Sequence, residues 1–526
     1  MRVGLALVCA VFLATWLPHY PTWPWNRDHD TFAAMAQFWD EGIRPYRDVR
    51  AYNFPGQIYV FWVLGKMFGW GWSPAFFAID ALGLIALGIV LIAWSRRLFE
   101  RSTAGWLGWL LVLEHYLDYG HFQAAERDWQ SALLVAIGLL LVEARAKRAS
   151  RIALAAMLAC ALTLRPHAFL FLPAIISTLD ESARVERNTL KTSIVAMIEW
   201  GIVFLSFTLL AFSPLIAQGL VDDLARGVGE VAAGAYGKVT RDGVIRGTLR
   251  ELSNASSWLP LLAIAACWIF EPRATRRSAR TWTFALLAAI LYKPLHPVPH
   301  DYLGHPLALV RAIAIARVAG SLLKTTRLSS ILKLLILIGI FLQAAWKIPS
   351  KCDAIASLRA IPDLVRGEVP ERAPIGCDPW YERPGNLYPK GDYPWKDYRD
   401  ILVYIKTRTQ PHERVANLLR RMPFPPINGA TGRLDTFPVE SGIAWLWMRP
   451  NDLEMEEFLA KTLERTPDSV VVWEPDGDGI DPRMALKKIG RVVRKRYEVV
   501  ARFGRLEVLR RRRQSQPESG MESIAP

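Results

Sequence analysis

Acidic and basic side chains suited to group transfer stand in four short clusters along the chain. In the first, the carboxylates Asp28 and Asp30 lie two residues apart, directly after an apolar segment. The other three clusters are Glu126-Arg127-Asp128, Leu164-Arg165-Pro166-His167 and the stretch 293–302, which contains His300 and Tyr302. A carboxylate at the mouth of a membrane helix is costly unless it is solvated or used, and it can serve as a general base on a hydroxyl. Arg, Lys and His suit a phosphate.

Each cluster also has a simpler interpretation, which the residues alone leave open. The first fits a solvated loop in which an Asp caps a helix predicted over residues 31–40. Charged side chains at a membrane interface can also anchor helices by snorkelling. The chemical interpretation gains from position, because all four clusters are predicted to lie on the same side of the membrane.

The elements that must position these residues are predicted to be membrane helices. Of the 526 residues, 52% are hydrophobic, 21 are Trp, and the mean hydropathy is +0.16. A span needs roughly 20 apolar residues. On that basis about eleven spans are predicted, near 3–19, 75–94, 102–118, 129–143, 151–165, 167–180, 192–214, 256–271, 281–293, 303–320 and 328–347. The apolar stretch from Ile58 to Phe68 is shorter and predicts an interfacial helix.

The distribution of basic residues predicts the orientation. With the N-terminus inside, the inner loops hold 17 Lys or Arg residues in total, whereas the short outer loops hold far fewer. These inner loops are 95–103, 143–151, 184–191, 271–280 and 317–327. The net charge of +15 is therefore interpreted as a topological signal, and no nucleic-acid partner is expected. The segments predicted to lie on the outer side are residues 20–74, 115–128, 215–255, 294–302 and everything after about 348.

The C-terminal part changes character and predicts a small soluble α/β domain. The domain boundaries are placed at 1–347 for the membrane module, 348–513 for the α/β domain and 514–526 for a disordered tail. Within the α/β domain, a buried strand is predicted at Ser469–Trp473. Amphipathic helices are predicted at Tyr398–Lys406 and Glu454–Leu463. A disulfide between Cys352 and Cys377 is left open, since the outer compartment would be oxidising.

The first outer loop resembles that of GT-C glycosyltransferases, in the group of protein O-mannosyltransferases and lipid A aminoarabinose transferases. The family pattern is roughly Asp-Glu-x-x-Tyr-Ala, then Gly, then Pro-Tyr-x-Asp, then Pro-Pro. The matching residues here are Asp28, Phe32-Ala33, Gly42, Pro45-Tyr46-Arg47-Asp48 and Pro55-Gly56, followed by an aromatic helix ending at Phe68-Gly69. The implied fold is a GT-C-like α-helical polytopic membrane protein.

The resemblance also implies a reaction and a set of roles. The chain would be an inverting glycosyltransferase of the inner (cytoplasmic) membrane with its C-terminal domain outside. It would use a polyprenyl-phosphate sugar donor, itself a membrane lipid, and a protein, lipid or glycan acceptor. Asp28 takes the catalytic position as general base and Asp128 the second acidic position. The residues expected to contact substrate are Asp30, Asp48, Arg127, Arg165, His300 and Tyr302.

Three residues of the first loop depart from the family pattern. His29 stands in place of Glu, Phe54 in place of a Lys expected to meet donor phosphate, and Gly56 in place of the second Pro. Arg127, Arg165, Lys238 or Arg241 could supply the missing phosphate contact. The need for a metal is left open: Asp28 and Asp30 could share a divalent cation with an outer-loop acid, because hard cations take carboxylate oxygens.

Other functions stay open at this stage. A lipid-linked glycan flippase would need charges within the spans, where Glu199 and Lys333 stand isolated. A polysaccharide ligase would act at the same outer face, and a non-catalytic scaffold would bind a partner through the outer domain. The glycine-rich stretch 234–238 is interpreted either as part of a mobile lid or as a solvated interfacial helix.

Overall fold

The computed structural model is mostly helical. It describes residues 1–23, 25–118, 124–145, 147–187, 190–235, 240–271, 273–296, 301–325, 354–366, 368–369, 395–419, 426–440, 453–466, 469–475 and 486–512. The helices before residue 326 are α1 Arg2–Trp16, α2 Arg27–Asp40, α3 Gly56–Phe68, α4 Pro74–Phe99, α5 Thr103–Asp118, α6 Arg127–Arg145, α7 Arg148–Leu164, α8 Leu172–Arg187, α9 Leu190–Ala217, α10 Val221–Ala235, α11 Arg241–Ser253, α12 Ala255–Phe270, α13 Arg273–Tyr292 and α14 His305–Thr325. Short 3-10 turns lie at Leu17–Thr22, Pro166–Phe171 and Asp301–Gly304.

A helix lies at every predicted span except 328–347, which falls outside the described residues. Three of these helices are long and apolar enough to cross a membrane, namely Pro74–Phe99, Ser193–Ala217 and His305–Leu323. A fourth candidate is the pair Asp242–Ser253 and Ser257–Ile269, which meet at 80°. The other predicted spans are shorter or carry charge, so the number of eleven stays a prediction.

The two helices predicted in the first outer loop are confirmed, with one correction. The helix predicted to be interfacial is present as α3, whose 13 residues give a length of about 20 Å, too short for a span; its interfacial position stays a prediction. Helix α2 begins at Arg27 and is capped by Asn26 rather than by an Asp. The Asn26 side chain accepts from the His29 backbone N–H at 2.9 Å, and His29 reaches back to the Asn26 N–H. This capping box leaves both Asp28 and Asp30 inside the helix.

Small residues let the helices of the bundle approach closely. A Cβ added at Gly105 would lie 2.4 Å from the Leu91 carbonyl oxygen, so α5 packs against the backbone of α4. A Cβ at Gly138 would lie 2.7 Å from Leu154, so α6 and α7 meet in the same way. Close approach at small residues is the usual means of association between membrane helices. The tight α6–α7 pair fixes the two helix ends that carry Asp128 and Arg165.

A buried polar network closes the other end of the bundle. Glu143, near the end of α6, accepts from Trp94 Nε1 at 2.6 Å, Ser278 Oγ at 2.9 Å and Trp282 Nε1 at 3.1 Å. Arg317 of α14 donates to Ser278 Oγ at 3.3 Å. These contacts join α4, α6, α13 and α14 at the end predicted to be cytoplasmic. Fifteen residues of α6 separate Glu143 from Asp128, a rise of ~22 Å, which sets the two polar regions at opposite ends.

The C-terminal part contains a mixed four-stranded sheet of order β1-β2-β4-β3. Its strands are β1 Arg414–Leu418, β2 Ser469–Trp473, β3 Tyr497–Phe503 and β4 Leu506–Arg511. Strand β1 is parallel to β2, and the other pairs are antiparallel. The predicted strand 469–473 is confirmed, and the two predicted helices are confirmed within Trp395–Arg408 and Leu453–Arg465. Further helices are Ala354–Val365, Asn428–Thr431 and Lys487–Arg496.

Several predictions fall outside the described residues. They are the boundary at 347/348, the tail 514–526, Cys352, Cys377, Lys238 and His300. We refer below to residues 395–512 as the C-terminal α/β region.

Candidate active site

Asp28 lies in the first turn of α2 and approaches the start of α6. Its Oδ2 is 3.7 Å from Arg127 Nη2, and 36% of its side chain is exposed, against 4% for Arg127. The distance makes this an ion pair without a close hydrogen bond. Asp28 therefore keeps access to other groups while remaining beside a buried cation.

Arg127 is a buried cation whose hydrogen-bonding capacity is incompletely used. Its guanidinium carbon lies 4.6 Å from the centre of the Phe32 ring, a cation–π contact that holds it in place. Among the described residues, Nε and Nη1 of Arg127 have no hydrogen-bond partner. Buried donors without partners are rare and cost free energy. A buried guanidinium in this state is suited to an anionic ligand.

Glu126 joins the cap of α2 to the start of α6. Its Oε1 accepts from Asn26 Nδ2 at 2.8 Å, and its Oε2 has no partner among the described residues. The pKa of Glu126 is raised to about 8 by its burial and by the negative charge of Asp28, although the positive charge of Arg127 opposes the rise. Near neutral pH this carboxyl group therefore holds a proton for much of the time.

Asp128 lies in the first turn of α6 and ties together three helix ends. Its Oδ2 accepts from Arg165 Nε at 3.0 Å and from Arg165 Nη2 at 2.8 Å. Its Oδ1 accepts from the Tyr292 hydroxyl at 2.7 Å. Arg165 follows α7 and Tyr292 ends α13. Both oxygens of this fully buried carboxylate are thus occupied by protein donors, and the structure brings Asp128 and Arg165 together as a pair.

Two imidazole rings stand beside that pair. The His167 ring centre is 5.2 Å from that of Tyr292 and 6.0 Å from that of His296. The third and fourth sequence clusters therefore meet at one place, next to the second. The sequence predicts that these clusters lie on one side of the membrane, but it does not predict that they meet.

The structure gives Asp30 a contact different from the predicted substrate contact. Its Oδ1 accepts from the Ala430 N–H at 3.0 Å and its Oδ2 from the Ile427 N–H at 3.3 Å, at the start of the helix Asn428–Thr431. A Cβ at Gly429 would lie 2.7 Å from Asp30 Oδ1. The pKa of Asp30 is raised to about 7 by burial, although these N–H donors oppose the rise. Asp30 thus fastens α2 to the C-terminal α/β region.

A cation shared by Asp28 and Asp30 does not fit this arrangement. Residues two apart on a helix point about 200° apart, and the oxygens of Asp30 already receive N–H donors. Within the described residues, no group of three or more His, Cys, Asp or Glu side chains is placed to hold a metal ion.

Asp48 makes a local ion pair at the surface. It accepts from the Arg44 N–H at 2.9 Å, from Arg44 Nε at 2.8 Å and from Arg44 Nη2 at 3.0 Å. These bonds lower the pKa of Asp48 and close the turn that contains Tyr46. The backbone of Tyr302 lies in the turn Asp301–Gly304, and its side chain is outside the described part, as is the whole of His300.

Glu440 is a residue of this neighbourhood that sequence reasoning missed. Its side chain, in a residue 1% exposed, accepts from the Tyr52 N–H at 2.6 Å, the Asn53 N–H at 3.2 Å and Asn53 Nδ2. Burial raises the pKa of Glu440, and the charge of Arg127 is among the groups that lower it. Glu440 therefore lies within electrostatic range of Arg127. Its partners are 388 residues away in sequence, so no local pattern could have revealed it.

Packing explains one departure from the family pattern. A Cβ at Gly56 would lie 2.7 Å from Thr163 Oγ1 and from the Thr163 carbonyl carbon. The first residue of α3 therefore presses on the end of α7, two residues before Arg165. No side chain fits where the family carries its second Pro.

The fold is similar to that of an enzyme whose crystal structure is known. The crystal structure of ArnT from Cupriavidus metallidurans bound to undecaprenyl phosphate is similar, with a TM-score of 0.56 and 16% identity over 96% of this chain and 97% of that one. The apo structure of the same protein has a TM-score of 0.50 at the same identity and coverage. ArnT is a lipid A aminoarabinose transferase with the GT-C fold, so the predicted resemblance is confirmed at the level of the fold. No family model and no curated protein matches the sequence.

Proposed function

We propose that this chain is a membrane glycosyltransferase. It transfers a sugar from a polyprenyl-phosphate-linked donor to an acceptor hydroxyl on the extracytoplasmic face of the inner (cytoplasmic) membrane. The observation that carries the proposal is the half-exposed Asp28 carboxylate beside the buried Arg127, two of whose donor nitrogens have no partner among the described residues. The fold supports it, since the similar structure of ArnT holds undecaprenyl phosphate. The outward orientation is supported by the Lys and Arg distribution.

In this proposal Asp28 is the general base. The acceptor oxygen attacks the anomeric carbon of the sugar, and the bond from that carbon to the phosphate oxygen breaks with inversion. The acceptor proton passes to Asp28, and the lipid phosphate leaves with the bonding electrons. A positioned base of this kind typically contributes roughly 10²–10⁴ in rate. The partial exposure of Asp28 fits a group that must meet an incoming acceptor.

Arg127 stabilises the departing phosphate. Its Nε and Nη1, which have no hydrogen-bond partner among the described residues, can each donate to a phosphate oxygen. Because the side chain is 4% exposed, water screens this interaction little. A well-placed donor of this kind accounts for on the order of 3 kcal/mol of transition-state stabilisation. Arg127 thereby supplies the cation that the family pattern places before its Pro-Pro pair, where this chain has Phe54.

Asp128 acts through Arg165 in this proposal. Both Asp128 oxygens are held by Arg165 and Tyr292, so the carboxylate fixes the guanidinium of Arg165 toward the same end of the bundle. Arg165 is then a second cation for the donor phosphate, and Asp128 is a positioning residue. This proposal thus gives the second acidic position of the family pattern an indirect role, through Arg165.

The variant Asp28→Asn tests the proposal. Purified protein is incubated with a panel of undecaprenyl-phosphate-linked sugars and of lipid, protein and glycan acceptors, and release of undecaprenyl phosphate is measured by mass spectrometry. We expect transfer to fall by roughly 10²-fold or more with membrane insertion unchanged. Asp400→Asn, which removes a surface ion pair with Lys396 in the C-terminal α/β region, is the matched control and should retain activity. Wild-type turnover by Asp28→Asn would refute the assignment.

The same assay separates the alternatives. A scaffold predicts no turnover by the wild type, and a ligase predicts turnover only with a glycan acceptor. A flippase needs charges along a path through the spans. Glu199, one of the two isolated charges in the predicted spans, pairs with Arg148 at 2.5 Å at the end of the bundle opposite Asp28, which leaves it no place on such a path.

A further inference from the structure

A polar cavity lies at the far end of the bundle from Asp28 and Arg127. Helix α4 starts beside Trp23, where Ser73 Oγ donates to the Trp23 carbonyl at 3.1 Å. After 26 residues, a rise of ~39 Å, it ends at Phe99. The cavity lies there, with a volume of about 440 Å³, lined by Arg2, Arg96, Glu100, Arg101, Ser102 and Thr103. Three arginines and one glutamate give this lining a net positive charge.

The start of α5 forms one wall of the polar cavity. Because α5 begins at Thr103, the free N–H groups and positive dipole end of a 16-residue helix lie at this wall. Ser102, just before it, is 2% exposed, and its Oγ has no hydrogen-bond partner in the described part of the chain. A helix N-terminus favours anions, and the buried hydroxyl offers an additional donor. Two independent features thus favour an anionic ligand.

A second cavity, lined by both polar and apolar side chains, adjoins the polar one. It has a volume of about 250 Å³ and shares Arg101 and Thr103 with the polar cavity. The rest of its lining is Met1, Phe99, Ala104, Gly320 and Leu323. The combined space therefore extends from the cationic lining, past Arg101, to the apolar side chains of Phe99 and Leu323. A free inorganic anion would use only the first half, whereas an amphiphile with an anionic head would use both.

We propose that the two adjoining cavities bind an anionic glycerophospholipid of the surrounding leaflet. Its phosphate lies between Arg96, Arg101 and the first turn of α5. The beginning of an acyl chain lies against Phe99 and Leu323. The predicted orientation places this site at the cytoplasmic leaflet, where anionic lipids attract basic side chains. The lipid site is separate from the proposed transfer site, so this proposal does not depend on the proposed function.

The test is lipid binding to the full-length protein in detergent, followed by native mass spectrometry. The probes are phosphatidylglycerol, phosphatidylcholine, sn-glycerol 3-phosphate and inorganic phosphate. We expect one phosphatidylglycerol to bind in preference to phosphatidylcholine. The double variant Arg96→Gln/Arg101→Gln should weaken it about 30-fold, or about 2 kcal/mol, because each basic residue near a lipid surface contributes about 1 kcal/mol. The single variant Ser102→Ala should weaken it about 10-fold.

Arg97→Gln is the matched control, because Arg97 is exposed on the same last turn of α4 but does not line either cavity. Retention of phosphatidylglycerol by this variant, with loss in the other two, supports the proposal. Equal weakening of phosphatidylglycerol binding in all variants would show general attraction to the basic surface and would overturn the proposal. Competition by inorganic phosphate or glycerol phosphate at the affinity of the lipid would also overturn it, by showing that the acyl chain contributes nothing.

Discussion

At the scale of single residues, Arg127 differs from the other buried arginine of the site in its partners. Arg165 is held by Asp128 through two hydrogen bonds, whereas Nε and Nη1 of Arg127 have no partner among the described residues. The sequence placed both arginines in the predicted site but could not distinguish them. The pairing of Arg165 with Asp128 spans 37 residues and two helix ends, so it depends on tertiary packing.

We expect Arg127→Gln to lower kcat/KM for transfer by roughly 10²–10³-fold, since it removes a buried donor to the leaving phosphate. Arg127→Lys should recover part of the loss, because it restores charge without the planar fork. The measurement is the rate of undecaprenyl phosphate release. Arg44→Gln, which loses only the exposed ion pair with Asp48, should stay near the wild-type rate. A loss no greater than that of the control would contradict the role.

Glu126 predicts how stability depends on pH. Its pKa is raised in the folded protein from 4.5 to about 8, so the folded state holds this proton where the unfolded chain has lost it. The free energy of unfolding should therefore fall as pH rises between these values. Thermal unfolding in detergent at pH 6 and pH 8 measures the slope, which Glu126→Gln should reduce.

Glu457→Gln is the control for this slope. The Lys461 and Lys488 side chains lower the pKa of Glu457 to about 2, so this group stays charged in both states throughout that pH range. Its removal should leave the slope unchanged. A Glu126→Gln variant with the wild-type slope would show that Glu126 does not hold its proton.

At the scale of elements, the sequence predicted where helices lie better than how they begin. Hydrophobic periodicity and length depend on local residues, which is why helix α3 and the strand Ser469–Trp473 were predicted correctly. The predicted capping residue of α2 was wrong, because Asn and Asp side chains both cap helices and Asn26, Asp28 and Asp30 stand close together. Asn26 caps it in the structure, and its amide also donates to Glu126, a partner 100 residues away.

Gly56 offers a test of the contact between α3 and α7. Gly56→Ala would place a methyl group 2.7 Å from the Thr163 backbone, and overpacking of this kind typically costs about 1–3 kcal/mol. We expect a lower melting temperature and reduced transfer, because α7 leads into Arg165. Gly201→Ala, where a Cβ meets nothing within 4 Å, is the matched control. Equal melting temperatures for the two variants would contradict the close contact.

At the scale of the whole molecule, the C-terminal α/β region and the first outer loop form one assembly. Glu440 accepts from Tyr52 and Asn53, and Asp30 accepts from Ile427 and Ala430. The sequence placed both segments on the outer side by the charge rule but gave no sign of contact. Residues about 400 apart in sequence meet here, and such pairings leave no periodic pattern to read.

Glu440→Ala should therefore reduce transfer although this residue lies far along the chain from the predicted site. The substitution frees the Tyr52–Asn53 backbone and removes a charge near Arg127. We expect kcat to fall by about 10-fold or more with membrane insertion intact, since small misplacements near a site carry large costs. Glu464→Ala, which loses an ion pair with Arg496 at the surface of the same region, should retain activity. Full activity of Glu440→Ala would show that this contact of the C-terminal α/β region is not needed for transfer.

The most direct measurement is a cryo-electron microscopy structure of the full-length protein with undecaprenyl phosphate. We expect the phosphate at the outer end of the bundle, with oxygens within about 3.2 Å of Arg127 Nε or Nη1 and with the Asp28 carboxylate facing the space next to it. A phosphate bound away from Arg127, or at the end of the bundle that holds Glu143, would contradict sugar transfer by this site.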